Sequence, residues 1–235
     1  MDVDRILSSI VDPGQWEAYA SWFASLEARA ASLTADVPGE ALIAVRGDDL
    51  ALPVDPVGRF GVDRFRRFLG AVLAADWLTY AAPDDRANIL RLGFVIDRFP
   101  QGFRVWFLAT NAGWLPVGYS GWYPIDAATY RRLVTNDPPI SDRAFVPLTS
   151  ADSDGYIYIF NYSILPPFRD GVGSRRLLRR LNEEMCAVAP RGMAAITVSP
   201  EGAAVAARFG LTFRHTIKVG ESFEDIWTGP DNGTG

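Results

Sequence analysis

The chain has 235 residues, 49% of them apolar and 22% charged, and a net charge of −5. That balance is ordinary for a soluble globular protein with length enough for a sizeable core, and its acidity excludes the overall basic footprint of a nucleic-acid-binding protein. A single cysteine, Cys186, and a single histidine, His215, exclude an intrachain disulfide and a Cys/His zinc site, so no metal is expected and a reducing, cytoplasmic setting is.

The first residues carry Asp2, Asp4, Arg5 and Asp12 and lack the charged-then-apolar pattern of a signal segment. Asp12-Pro13 reads as a helix N-cap followed by proline at the first helical position. Trp16, Tyr19, Phe23, Leu26, Ala30 and Leu33 then recur at steps of three and four, the period of one helix face, and Val37-Pro38-Gly39 ends the run. Ala41–Val45 is a short strand candidate before a turn at Gly47-Asp48-Asp49. After Gly61 a second helix is expected, with Phe65, Phe68, Leu69, Val72 and Leu73 on one face and Arg64, Arg66 and Arg67 off it as a solvated rim. Pro83-Asp84-Asp85 opens another short helix.

From about residue 94 the pattern turns β-rich. No charge falls between Val105 and Ile125, a stretch long enough for a membrane span, but Asn111, Gly113, Pro116, Gly118, Gly121 and Pro124 interrupt it. The reading is a buried hairpin, Phe103–Thr110 and Trp114–Tyr123 about a turn at Asn111-Ala112-Gly113, with no membrane partner. A small helix at 126–134, a loop at Asn136-Asp137-Pro138-Pro139 and a strand at Tyr156–Leu165 rich in Tyr, Ile and Phe follow. The remainder alternates: a helix at 174–188, a strand at 193–198, a helix at 200–209, and a hairpin at 212–228 turning at Gly220-Glu221.

Chemistry concentrates where the strand meets the helix, in Tyr162-Ser163-Ile164-Leu165-Pro166-Pro167-Phe168-Arg169-Asp170-Gly171-Val172-Gly173-Ser174-Arg175. A helix N-terminus offers N–H groups that the helix leaves unbonded and a partial positive charge. Glycines let a phosphate approach the backbone, although a Gly-x-Gly pair alone also makes an ordinary turn. The helix that follows puts Leu177, Leu178, Leu181, Met185 and Val188 on one arc and Arg175, Arg176, Arg179 and Arg180 on another. With Arg169, five of the chain's 23 basic residues fall within 12 positions. Cations in a first turn oppose the helix dipole by about 0.3–1 kcal/mol each when exposed. In an acidic protein their concentration there fits an anion; a solvated arginine face fits them too.

This segment resembles motif A of the GNAT superfamily of acyl-CoA-dependent N-acyltransferases, Gln/Arg-x-x-Gly-x-Gly/Ala at the end of the fourth strand. The order around it is similar as well: 103–123 as strands two and three, Met193–Val198 as the fifth strand, Ser199–Phe209 as the fourth helix closed by Gly210-Leu211 where the family has Gly-Phe, and 212–228 as the last hairpin. The resemblance covers about residues 95–228. It implies an α/β (α+β) fold with a mixed, mostly antiparallel sheet flanked by helices. Residues 1–94 would be an N-terminal helical elaboration packed on a core of residues 95–235.

It further implies acetyl-CoA or another acyl-CoA as cosubstrate and an amine-bearing acceptor as partner, and it leaves room for a homodimer. By the same resemblance, Arg169, Asp170, Gly171, Val172, Gly173 and Ser174 would bind the CoA pyrophosphate. Ile164 and Leu165 would pair with the pantetheine arm, N–H groups near Leu165 would polarise the thioester carbonyl, and Arg175 or Arg179 would reach the 3′-phosphate. Ser199 would stand where an asparagine contacts pantetheine, against its ordinary reading as a helix cap.

The sequence departs from the family pattern in two places. With Gly171 and Gly173 in register, Phe168 occupies the Gln/Arg position and Arg169 comes one residue late. Where many members carry a tyrosine as general acid, four residues before Gly-Phe, Ala206 stands, and no tyrosine follows Tyr162. No carboxylate lies between Asp154 and Asp170, so the amine's proton must leave through water or a polar strand residue. Tyr162 and Ser163 are the catalytic candidates, on opposite faces by strand alternation; Tyr158 and Asn161 are the other polar positions on the strand. Trp114, Tyr119, Trp122 and Tyr123 either wall the acceptor pocket or pack the core. Cys186 is expected to be buried and inert, and His215 to be a strand-surface residue. The reading is an N-acyltransferase with acetyl as the expected group. Its rivals are the same fold holding acyl-CoA without proton-transfer groups, and a structural domain in which Gly171 and Gly173 serve only the turn.

Overall fold

The computed structural model describes residues 16–33, 42–47, 64–80, 86–111, 113–151, 155–169 and 171–230. Asp12-Pro13, Val37-Pro38-Gly39, Ala41, Asp48-Asp49, Pro83-Asp84-Asp85, Ala112 and Asp170 lie outside the described residues. In chain order the elements are α1 (Trp16–Ala31), β1 (Leu42–Arg46), α2 (Arg64–Thr79), α3 (Ile89–Arg98), β2 (Phe103–Thr110), β3 (Gly113–Ile125), α4 (Ala127–Thr135), β4 (Tyr156–Ile164), α5 (Val172–Ala187), β5 (Gly192–Thr197), α6 (Pro200–Arg208), β6 (Thr212–Val219) and β7 (Ser222–Thr228). The strands form one seven-stranded sheet in the order β1-β2-β3-β4-β5-β7-β6. The β4–β5 pair is parallel, while β1–β2, β5–β7 and β6–β7 are antiparallel. The expected mixed sheet flanked by helices is present.

The chain divides into two compact units, Met1–Ser120 with Ser163–Leu178, and Gly121–Tyr162 with Arg179–Gly235. The boundary expected at 94/95 falls inside α3, and the first unit draws on both sides of it.

In the first unit, every residue of α2 from Phe68 to Asp76 is buried, so this stretch is enclosed all round and not only along one stripe. The short helix expected after Pro83-Asp84-Asp85 corresponds to α3, which starts at Ile89 and runs to Arg98, past residue 94 where the β-rich pattern was expected to begin. Ile89, Leu92, Val95 and Ile96 are buried at steps of three, three and one, the period of a helix face. The Asn88 side chain caps the start by accepting the Arg91 N–H at 3.1 Å. The Arg29 guanidinium of α1 donates to Thr110 Oγ1 and to the Gly113 carbonyl, each at 2.7 Å, and so ties that helix to the β2–β3 turn.

The second unit has an aromatic core. Tyr130 of α4 donates its hydroxyl to the Gly229 carbonyl at 2.8 Å and stacks on Tyr156 with ring centroids 4.1 Å apart. Tyr158 packs between Tyr123 and Phe145 at 5.3 and 4.8 Å. The parallel β4–β5 register runs from Tyr156↔Gly192 to Ile159↔Ala195. The hairpin of β6 and β7 turns at Gly220, whose φ of 63° favours glycine.

Candidate functional site

At the end of β4 the backbone is held tightly on one edge. The Leu165 N–H donates to the Val117 carbonyl of β3 at 2.8 Å. The Ser163 carbonyl lies against Gly118, where a Cβ would also come within 2.9 Å of Ile164 Cα, so only glycine fits. Ser163 and Leu165 thus turn their backbone polar groups toward β3. Successive residues of a strand address opposite edges, which leaves the Ile164 N–H and carbonyl on the edge away from β3. Of the two residues expected to pair with the pantetheine arm, Leu165 is therefore corrected, because β3 already uses its N–H, while Ile164 holds the outward-facing pair.

A short 3-10 turn, Pro166–Phe168, follows. Phe168, which stands in the Gln/Arg position of the motif, is buried in the core. Arg169 is exposed and folds back, its Nε donating to the Ile164 carbonyl at 3.3 Å. The Gly171 N–H bonds the Phe168 carbonyl, and the Arg175 N–H bonds the Gly171 carbonyl, each at 3.4 Å. Gly171 is exposed, its φ is not in the left-handed region, and a Cβ there would meet only ordinary contacts at 3.7 and 3.9 Å. Neither backbone conformation nor crowding demands glycine at this position. Gly173 and Ser174 are buried, as are Leu177, Leu178, Leu181 and Met185 along α5. Arg175, Arg176, Arg179 and Arg180 are exposed. Arg180 pairs with Glu184 at 3.4 Å, a surface pair that contributes about 0–1 kcal/mol.

No protein-family model matches the sequence, and no curated protein matches it. Solved structures match at the level of fold. The NatC complex bound to Gag peptide and CoA is 10% identical with a TM-score of 0.51, covering 80% of this chain and 98% of that one. The loading GNATL domain of CurA from Lyngbya majuscula is 13% identical with a TM-score of 0.52, covering 80% and 97%. The chain has the GNAT fold. A third such structure, the GphF GNAT-like decarboxylase in complex with isobutyryl-CoA, is 13% identical with a TM-score of 0.50, covering 80% and 98%.

In this GNAT fold β4 is the fourth strand, and the first unit brings together Ser163, Ile164, Leu165, Arg169, Gly171, Val172, Gly173, Ser174 and Arg175. Tyr162 and Ser199 belong to the second unit. Tyr162 is half-buried. Ser163 is buried, and its Oγ has no hydrogen-bond partner. Ser199 Oγ accepts the Gly202 N–H at 3.1 Å and so acts as the cap of α6. Ala206, in the place of the GNAT tyrosine, is buried. Among the aromatics of the hairpin, Tyr119, Trp122 and Tyr123 are core residues and Trp114 is half-buried.

Two other sequence expectations meet different fates. His215 is a half-buried β6 residue, and burial, with Arg214 adding to it, pulls its imidazole below the ordinary range. Cys186 was expected to be buried and is exposed, its thiol 3.8 Å from Asn182 Oδ1. It falls just off the apolar arc of α5. Together with Met193, Phe209 and Pro230 it lines a cavity of about 430 Å³ at the start of β5. That cavity shares no residue with the strand–turn–helix segment.

Sequence reasoning missed Asp76. This carboxylate of α2 is wholly buried and accepts the Tyr119 O–H and the Ala87 N–H, each at 2.9 Å. Desolvation pushes it up to about 6, against the pull of both hydrogen bonds and of Arg86. The available signal was the only acidic residue of α2, set within an apolar run. Among the described residues no three His, Cys, Asp or Glu side chains come together as metal ligands, and no helix is long and apolar enough to cross a membrane.

Proposed function

We propose that the chain is an acyl-CoA-dependent N-acyltransferase of the cytoplasm, with acetyl as the transferred group and an amine as the acceptor. The observation that carries the reading is Gly171: an exposed glycine at the start of a 16-residue helix, required by neither φ nor packing. A position kept free of a side chain for no internal reason fits the close approach of a ligand, and at a helix N-terminus the fitting ligand is an anion. The pyrophosphate of CoA would lie on the backbone from Gly171 to Ser174. The pantetheine arm would run along the outward edge at Ile164, and the Ile164 N–H would polarise the thioester carbonyl. CoA in the NatC complex and isobutyryl-CoA in the GphF complex support a CoA thioester as the donor class.

In the reaction the amine nitrogen bonds the carbonyl carbon, the carbon–sulfur bond breaks, and the CoA thiolate leaves with a proton. The chain's part is to hold the thioester in place and to take the ammonium proton, through Tyr162, Ser163 or water. A second reading, acyl-CoA binding without transfer, is favoured by buried Ala206 at the tyrosine position and by the enclosure of the Ser163 hydroxyl. Calorimetric titration with acetyl-CoA, followed by turnover against a panel of primary amines, separates the readings. Binding with turnover supports the enzyme, and tight binding with no turnover on any amine supports the binder. No heat at millimolar acetyl-CoA removes both.

A further inference from the structure

The Ile164 carbonyl, at the end of β4, faces away from β3, and it is already engaged by Arg169 Nε at 3.3 Å. An extended ligand that adds alongside a strand needs the N–H and the carbonyl of the same residue, because both point to the same edge. A pantetheine arm laid against Ile164 therefore meets the Arg169 guanidinium at the carbonyl where its own amide N–H must donate. Arg169 is also two residues from Gly171, at the mouth of the proposed phosphate cradle. A guanidinium bonds a phosphate oxygen more strongly than a neutral carbonyl, so an anion bound at the start of α5 competes for Arg169. The one-residue lateness of this arginine has a physical consequence: Phe168 takes the motif position into the core, and the basic side chain that follows reaches back to the strand.

We propose that Arg169 makes entry of the pantetheine arm conditional on the pyrophosphate, by covering the Ile164 carbonyl until the anion draws it away. Arg169 is then a specificity-determining residue that selects whole CoA thioesters over thioesters of pantetheine alone. This inference rests on the acyl-CoA reading above.

The test is calorimetric titration of wild type, Arg169→Ala and Arg169→Met with two ligands, acetyl-CoA and S-acetylpantetheine, which lacks the nucleotide and pyrophosphate. Arg169 is exposed, and a melting temperature matching wild type confirms that each variant is folded. The expected result has opposite signs for the two ligands. Both variants bind acetyl-CoA at least about tenfold more weakly, through loss of a charge-assisted bond. Both bind S-acetylpantetheine roughly threefold to tenfold more tightly, through release of one competing hydrogen bond. If S-acetylpantetheine affinity is unchanged, lower or still undetectable in both variants, the carbonyl is not guarded and the proposal falls while the acyl-CoA reading stands. If wild type binds no acetyl-CoA at millimolar concentration, the acyl-CoA reading falls and takes this one with it.

Discussion

Asp76 accepts two hydrogen bonds that favour its ionised form, yet removal from water outweighs them and its carboxyl titrates near 6. Its ordinary value is 3.8, so between these limits the folded chain binds the proton more tightly than the unfolded chain does. Stability from this group is fully present below about pH 4 and is lost as pH rises through about 6, on the order of 3 kcal/mol in all. Asp76→Asn removes the titration. Urea unfolding of both proteins at pH 4.5 and pH 7.5 should show wild type losing roughly 2 kcal/mol relative to the variant between the two values. A constant difference would mean that Asp76 does not titrate there. Ser163 poses a separate question, because its buried Oγ has no hydrogen-bond partner among the described residues. Ser163→Ala and Tyr162→Phe are to be assayed for acetyl-CoA turnover. A loss of about 10²-fold in one of them identifies a positioned acid or base, whereas unchanged rates in both leave water as the proton acceptor. Neither Asp76 nor the isolation of Ser163 was legible in the sequence. Burial and hydrogen bonding of single side chains are set by residues far apart in the chain, as Asp76 and Tyr119 are.

The start of α5 was the most legible element, because its arcs of leucine and arginine and its glycines are all local signals. The structure adds a distinction between the two glycines. Gly171 has room for a methyl group and Gly173 is buried. Gly171→Ala should therefore fold with stability within about 0.5 kcal/mol of wild type and bind acetyl-CoA more weakly. Gly171→Glu should also fold but should lose binding by about 10²-fold or more, since a carboxylate would stand where the phosphate is proposed. Thermal melting with calorimetry reads both, and normal binding by a folded Gly171→Glu protein would place the phosphate cradle elsewhere. The β2–β3 hairpin was equally plain from its uncharged run and turn residues. The existence of α3 was also read, from Pro83-Asp84-Asp85, but not its extent to Arg98, because Phe94, Val95 and Ile96 suit a strand locally and only the spacing of the buried positions favours helix. The edge preference of Leu165 was also out of reach, since it depends on which neighbour β4 pairs with at that point.

At the scale of the whole chain, the family resemblance carried the mixed sheet and the chain order of its elements over about residues 95–228, while the position of a boundary near 94 came from a change in composition. Arg29 bonds the β2–β3 turn and Asp76 bonds Tyr119 of β3, so residues before the boundary complete the burial of residues after it. A fragment of residues 95–235, lacking α1, α2 and half of α3, should be insoluble or melt without cooperativity. A soluble fragment with a sharp thermal transition would contradict this. The division into units follows a different path, because the chain passes between them at 120/121, 162/163 and 178/179. During synthesis the first unit cannot close until Leu178 has left the ribosome, by which point more than three quarters of the 235 residues have been made. Neither unit is a contiguous gene segment, so recombination cannot exchange one for a homologous piece by a single crossover. The turn proposed to hold the phosphate is among the last parts of its unit to be translated, so a ligand bound there would assist folding only after nearly all of that unit is already in place.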